Sequence, residues 1–172
     1  ITTADDLKEA DRQLSTARLE QLLDIRMGQG IDFHEFAPGK FVILCGVRIP
    51  HSHALKGHSD ADAAMHALTD AIFGAIGEGD IGTHFPPSDP QWKGAASSIF
   101  LSKAVDLVAA RGGIISNADI TILAEAPRIG PHVQAMRAVL APLLALAPER
   151  IAIKATTTEK LGAIGRKEGL AA

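Results

Sequence analysis

The sequence predicts an α+β (α/β) sandwich, with helices on one face of a mixed sheet, and three observations carry that prediction. Stretches with a two-residue alternation interleave with stretches repeating every three to four residues, the pattern of strands alternating with helices. Glycine and proline pairs cut the chain at the joints between them. The 172 residues are 47% hydrophobic, enough for one domain that buries roughly 70% of its unfolded surface.

Taken in order, residues 1 to about 24 read as a charged helix, with Leu7, Leu14, Leu19 and Leu22 spaced loosely among acidic and basic residues. So thin an apolar stripe suits a linker or interdomain helix. Residues 27–34 read as a strand, with Gly28 and Gly30 marking a place where something approaches closely. Pro38-Gly39 turns the chain, and residues 41–47 form a second strand. Residues 48–57 read as a loop whose His51 and His53 face solvent, since no spacing aims them.

From Ser59 the apolar residues Ala64, Leu68, Ile72 and Ile76 recur every four positions, predicting a helix that ends near Gly77. Ser59 and Asp62 make a capping-box-like start. His66 lies about 200° round this helix from Leu68, on a polar line with Asp62 and Asp70 that faces away from the core. Residues 79–82 form a tight turn, and the prolines of residues 85–90 deny that stretch regular structure. A second helix spans about residues 95–110 and stops at Gly112-Gly113. Residues 117–124 alternate as a strand. Pro131 opens a third helix from its first position; it runs at least to Leu140, and Pro142 breaks or kinks it. Residues 150–154 are a strand leading into a run of threonines, and at Ala172 a further apolar segment begins.

Composition excludes several classes. A net charge of -3 and a pI near 6.2 give no basic footprint for nucleic acid or anionic lipid. The single Cys45 sits in an apolar run as an inert buried thiol, so no disulfide framework exists and a reducing compartment fits. No apolar run approaches the roughly 20 residues of a membrane span, and no signal peptide is visible, so the expectation is a soluble, cytoplasmic protein. The chain opens on Ile1 rather than Met and reads as a piece of something longer.

The chemistry gathers in a few places. Residues two apart on a strand share a face, so Asp32 and His34 point the same way. With His66 they make one carboxylate and two imidazoles, a three-ligand zinc set with its fourth position open, as in catalytic zinc. Against this, any pair among seven histidines is more often surface or core than ligand. His58-Ser59 stand at a predicted helix N-terminus, which favours anions. Thr156, Thr157 and Thr158, flanked by Lys154 and Glu159, offer hydroxyls for phosphate oxygens and a carboxylate for a bridging Mg²⁺, although threonines also simply suit strands. Gly82 permits backbone approach, and Asp80 can orient a ligand. Together these point to a phosphorylated substrate.

The stretches Gly30-Ile31-Asp32-Phe33-His34, Gly57-His58-Ser59-Asp60-Ala61-Asp62, His66-Ala67-Leu68-Thr69-Asp70-Ala71, Gly79-Asp80-Ile81-Gly82, Ala126-Pro127-Arg128 and Lys154-Ala155-Thr156-Thr157-Thr158-Glu159-Lys160-Leu161-Gly162 closely resemble the 2-C-methyl-D-erythritol 2,4-cyclodiphosphate synthase family, in order and spacing, from about Arg26 to Ala172. Residues 1–7 look like the end of the cytidylyltransferase domain that precedes this synthase in bifunctional enzymes. The resemblance therefore implies a linker or upstream tail over 1–24 and a synthase domain over 25–172. It also implies a chorismate-mutase-like fold with a mixed four-stranded sheet, assembled as a homotrimer with active sites between subunits.

The implied reaction belongs to non-mevalonate isoprenoid biosynthesis. In 4-diphosphocytidyl-2-C-methyl-D-erythritol 2-phosphate the 2-phosphate attacks the β-phosphorus, closing the cyclic 2,4-diphosphate and expelling CMP, a cyclising phosphorus–oxygen lyase step. Carried over by position, Asp32, His34 and His66 hold Zn²⁺. His58 and Thr157 stabilise the transition state. Ser59, Asp80, Gly82, Phe85 and Asp89 serve the erythritol part. Ala124, Ala126, Pro127, Arg128, Ile129 and Gly130 form the cytosine pocket. Thr156, Thr157, Thr158 and Glu159 take the nucleotide phosphates, Glu159 through Mg²⁺ or Mn²⁺. Arg166 stands where the family lines an isoprenoid diphosphate cavity on the trimer axis, but the family's aromatic position there is Ala163. By the same resemblance, the family's last strand is missing after Ala172. Two alternatives stand beside this reading: a zinc-dependent phosphate-ester hydrolase, with Asp80 as its base, and a non-catalytic zinc module, which needs four protein ligands and no threonine run.

Overall fold

The computed structural model describes residues 3–172, leaving out the side chains of residues 16–23. It opens on helix α1 (Ala4–Leu23), capped by Thr3 and Asp6 in a reciprocal capping box. Leu7 and Leu14 are exposed on it, as the thin stripe predicts; Leu19 and Leu22 lie outside the described side chains.

Seven strands follow in two sheets: β1 (Phe33–Pro38), β2 (Phe41–Leu44), β3 (Val47–Pro50), β4 (His53–Leu55), β5 (Ala118–Leu123), β6 (Ile151–Thr156) and β7 (Gly169–Ala171). The main sheet has the order β4-β1-β7-β5-β6, five strands where four are expected, because β4 extends the far end of β1. It is mixed: β5 and β6 run parallel, and β7 is antiparallel to β1 and β5. One face is buried through Ala118, Ile120, Ile122, Ile151 and Ile153, while Asp119, Ala152 and Lys154 are exposed on the other. Covering the buried face are α2 (Ala63–Ile76), α4 (Ser97–Ala110) and α5 (Val133–Leu144), which bring Phe73, Leu101, Met136, Leu140 and Leu144 into the core. Each such side chain contributes about 1.5–3 kcal/mol by leaving water.

Several local expectations are corrected. Residues 41–47 do not form one strand. They bend at Cys45 and Gly46, both at positive φ, into the hairpin β2–β3. A residue with a Cβ seldom adopts that backbone conformation. Here the buried carboxylate of Asp62 accepts the Cys45 and Gly46 amides at 2.8 and 2.6 Å and holds the bend. Residues 48–57 are not a loop, since β3 and β4 occupy them; His53 is exposed as expected, His51 is half-buried, and both rings lie beside Phe36.

The helix expected from Ser59 begins at Ala63, with Asp62 itself as the cap accepting the Met65 amide. Asp62 is therefore fully buried rather than on a polar line, and His58-Ser59 sit in the preceding turn rather than at a helix N-terminus. The helix does end at Gly77, in the left-handed conformation. Residues 79–82 lead into a one-turn helix, α3 (Ile81–His84), capped by Asp80 and tethered by Asp70, which accepts the Ile81 amide at 2.8 Å. Pro131 lies in a 3-10 turn ahead of α5, and Pro142 sits inside that helix two residues from its end, where one lost backbone bond costs little. The apolar segment at the end of the chain places β7 in mid-sheet between β1 and β5.

Candidate active site

Residues 28–30 run flat against α2. A Cβ on Gly28 would lie 1.7 Å from the Ala71 carbonyl oxygen, and one on Gly30 1.9 Å from that of Ala67. Only glycine lets the backbone come so close. The segment thus lays Asp32 beside His66 on α2, and Asp32 exchanges both backbone hydrogen bonds with Ala172. His34 follows two residues on, on the same side of β1.

The three side chains converge. Asp32 Oδ2 lies 2.9 Å from His34 Nε2 and 3.0 Å from His66 Nδ1, and those two nitrogens are 3.3 Å apart. All three side chains are largely shielded, at 25%, 12% and 14% exposure respectively. The far nitrogen of His34, Nδ1, meets the Lys56 carbonyl at 2.6 Å. A carbonyl only accepts, so Nδ1 carries the proton and Nε2 turns a lone pair inward. Burial alone would raise the Asp32 carboxyl, but the His34 and His66 rings beside it outweigh burial and hold Asp32 well below the usual carboxylate range. Burial would lower His34, but Asp32 and the Lys56 carbonyl raise it above the ordinary value. A carboxylate and inward-facing imidazole nitrogens this close form a donor set that fits a divalent cation, and N/O ligation suits zinc. Among the described residues this is the only cluster of three or more such groups close enough to share an ion.

The second concentration of chemistry lies where β5 and β6 end. The loop after β5 and the threonines after β6 line one cleft of about 480 Å³, walled by Ala124, Pro127, Arg128, Ile129, Gly130, Thr156 and Thr157 among others. The Ala126–Pro127 bond is cis. Ala126 and Thr158 are not on the wall. Thr157 Oγ1 donates to Glu159 Oε1 at 2.7 Å, and Thr156, Thr157 and Glu159 are exposed.

The remaining candidates are scattered in role. His58 is exposed, while Ser59 Oγ lies 3.0 Å from His66 Nε2 and joins the cluster. Asp80 uses Oδ1 on Thr83, and Gly82 is exposed beside it. Phe85 is buried against Trp92 and Phe100, so it belongs to the core. Asp89 caps the 3-10 turn Pro90–Trp92. Arg166 pairs with Glu168, and Ala163 is exposed. Three residues were missed from sequence: Ser97, which meets His66, Asp60, which holds Ser97, and Glu125, whose Oε1 accepts the amides of Thr158 and Lys160, both at 3.2 Å. An acid inside the predicted pocket loop was a usable signal for Glu125; nothing in the spacing marked Ser97.

Fold and cluster together define a class. Residues 25–172 match the YgbB family, and the chain belongs to it. Across its whole length the chain is 59% identical to the bifunctional enzyme IspD/IspF of Chelativorans sp. (strain BNC1), spanning 42% of that protein. Over 87% of its length it is 61% identical to the 2-C-methyl-D-erythritol 2,4-cyclodiphosphate synthase of Cereibacter sphaeroides (strain ATCC 17029 / ATH 2.4.9), covering 94% of that protein. Among solved structures, the bifunctional IspDF from Campylobacter jejuni superposes with a TM-score of 0.79 at 45% identity, over 85% of this chain and 40% of that one. A CDP-bound form of 2C-methyl-D-erythritol-2,4-cyclodiphosphate synthase gives 0.78 at 41%, over 85% of this chain and 95% of that one. The chain thus spans less than half of the bifunctional relatives it matches. Among the described residues, no helix is long and apolar enough to cross a membrane.

Proposed function

We propose that this chain is a 2-C-methyl-D-erythritol 2,4-cyclodiphosphate synthase domain, closing the cyclic diphosphate of its cytidylyl substrate with release of CMP, a phosphorus–oxygen lyase. The observation that carries the reading is the Asp32–His34–His66 cluster in a family whose named members are such synthases. Zn²⁺ held by these three side chains supplies Lewis-acid polarisation of the diphosphate.

The chain's own part is positioning. An oxygen of the 2-phosphate bonds to the β-phosphorus while the bond to the CMP phosphate breaks, so nucleophile and electrophile sit in one molecule and no covalent protein nucleophile is needed. The residues have to fold the substrate back into line and neutralise its charge. Residues 124–130 hold the cytosine through backbone groups. Thr156, Thr157 and Thr158 take the nucleotide phosphates, with Glu159 binding Mg²⁺ or Mn²⁺. A phosphate oxygen competes with Glu159 for the Thr157 hydroxyl proton. His58 and Ser59 serve the phosphate beside the metal, and Asp80 and Gly82 the erythritol.

The two halves belong to different copies in this reading. Phe33, Ala171, Leu123 and Thr156 are successive partners in one row across the sheet. Three strand spacings put the two ends of that row roughly 14 Å apart, too far for one diphosphate to touch both. A homotrimer that brings one copy's metal cluster to its neighbour's threonine cleft closes the gap. The fused upstream domain, a synthase boundary near residue 25 and a cytoplasmic setting complete the proposal; the buried Cys45 fits a reducing compartment. The hydrolase alternative is weakened because its base, Asp80, is occupied as a cap, and the four-ligand module because the described residues offer three ligands.

The test mixes two inactive variants. Co-refolded His66→Ala and Thr157→Ala chains should regain activity at interfaces that pair one intact cluster with one intact cleft, giving CMP and the cyclic diphosphate in equal amounts by ³¹P NMR. Inorganic phosphate as the product would favour the hydrolase. Failure of the mixture to regain any rate would place both halves of the site within one copy.

A further inference from the structure

His34 has its tautomer set by a backbone carbonyl, whereas His66 faces a hydroxyl, which can either give or take a proton. Its Nε2 lies 2.8 Å from the Oγ of Ser97. Ser97 is fully buried in the first turn of α4, and both of its donors go to one carboxylate: the amide to Asp60 Oδ2 at 3.0 Å and the hydroxyl to Asp60 Oδ1 in a short bond. Asp60 is itself fixed, its amide donating to the Ala95 carbonyl at 3.0 Å and its Oδ1 also taking the Asp62 amide at 3.3 Å.

A serine has one hydroxyl proton, and a carboxylate can only accept it. With that proton on Asp60, the Ser97 oxygen can only accept from His66. We infer that Asp60 and Ser97 form a relay that keeps the His66 proton on Nε2 and so turns the Nδ1 lone pair toward Asp32 and His34. They are positioning residues for the metal cluster, and the inference rests on the metal reading proposed above. Asp60 to Ser97 to His66 does for one ring what the Lys56 carbonyl does for the other, by the route through which outer partners orient metal-bound histidines. The Ser59 hydroxyl also reaches Nε2, but at the longer 3.0 Å, and it takes the Ala61 amide.

The experiment reads the ring directly. Long-range ¹H–¹⁵N spectra of the metal-free protein should show His66 protonated on Nε2, and titration with zinc chloride against a chelator gives the affinity. Ser97→Ala should release the tautomer and weaken zinc by about 10- to 100-fold, while Ser97→Thr, which keeps the hydroxyl, should restore both. Asp60→Asn is the sharper variant: an amide can donate to Ser97 Oγ, turning the serine proton toward His66 and driving the ring to the Nδ1–H form, with zinc weakened at least as much. Far-UV circular dichroism identifies a variant that has lost its fold, and the remaining two then decide. A metal-free wild type protonated on Nδ1, or a folded Ser97→Ala with unchanged tautomer and zinc affinity within about twofold, overturns the relay. A wild type that takes up no zinc overturns the metal reading instead, and its spectrum still decides the relay.

Discussion

The metal cluster and the threonine turn stand at opposite ends of one row across the sheet, and they are built differently. Asp32, His34 and His66 are largely shielded, lie within 3.3 Å of one another and have their far nitrogens held. Thr156, Thr157 and Glu159 are exposed, and their polar atoms bond to one another. The divalent cation proposed for the first end demands close, fixed donors, and the chain supplies them by itself. The proposed nucleotide is large and brings its own hydrogen-bonding groups, so in that reading its end can stay open until ligand and neighbouring copy arrive. On the proposed reading, preorganisation is concentrated where the ligand is smallest.

The strongest way to break the comparison is His66→Ala. It removes one of three ligands and should cost zinc and roughly 10³-fold or more in turnover, since a Lewis-acid metal supplies several kcal/mol. Stoichiometric zinc by elemental analysis with a normal rate would show that the cluster is not a metal centre. Thr157→Ala acts at the open end: turnover should fall about 10²-fold, as for the loss of one transition-state donor, with zinc affinity unchanged in the same chelator assay. A rate within a few fold of wild type would make Thr157 only a turn residue.

A milder test sharpens the view of the open end. Glu125→Ala frees the amides of Thr158 and Lys160, so CDP binding measured by calorimetry should weaken by about tenfold, the worth of a typical hydrogen bond to a charged group, and zinc should be unaffected. Equal losses at both ends would mean that the two are not independent.

The smallest effect belongs to Asp80. Its carboxyl is held below the ordinary value by the Thr83 hydroxyl and amide. Since the folded value is the lower one, the cap's contribution is present above the ordinary carboxylate range and is lost as pH falls through the lowered value. Asp80→Ala should therefore speed exchange of the Thr83 amide a few fold at neutral pH, relative to its intrinsic rate. The wild type should match the variant only in acid; a difference that persists at low pH would mean that the carboxylate is not the cap.

Much of this was legible in residue order. The alternation over residues 117–124 and 150–154 marks β5 and β6, and the glycines at 28 and 30 announce the close approach to α2 that seats Asp32. Gly77 stops its helix where expected. Two of the misses share one reason: a carboxylate acting across the fold. Asp62 reaches back to Cys45 and Gly46, which makes a hairpin of an apparent strand and delays the helix by four residues. Asp60 reaches forward to Ser97. Neither partnership has a local signature, because each joins residues far apart in sequence.

The sequence by itself determined the alternating elements, the family through its motifs, and the three side chains that converge, since spacing on a strand and a helix dictates which residues share a face. Only the tertiary structure decided which nitrogen of each histidine faces the cluster, that Phe85 is packed in the core, and that the Asp32 cluster and the threonine end stand three strands apart. Those depend on which groups meet across the fold, and hydrogen bonds between distant residues are fixed by packing rather than by order along the chain.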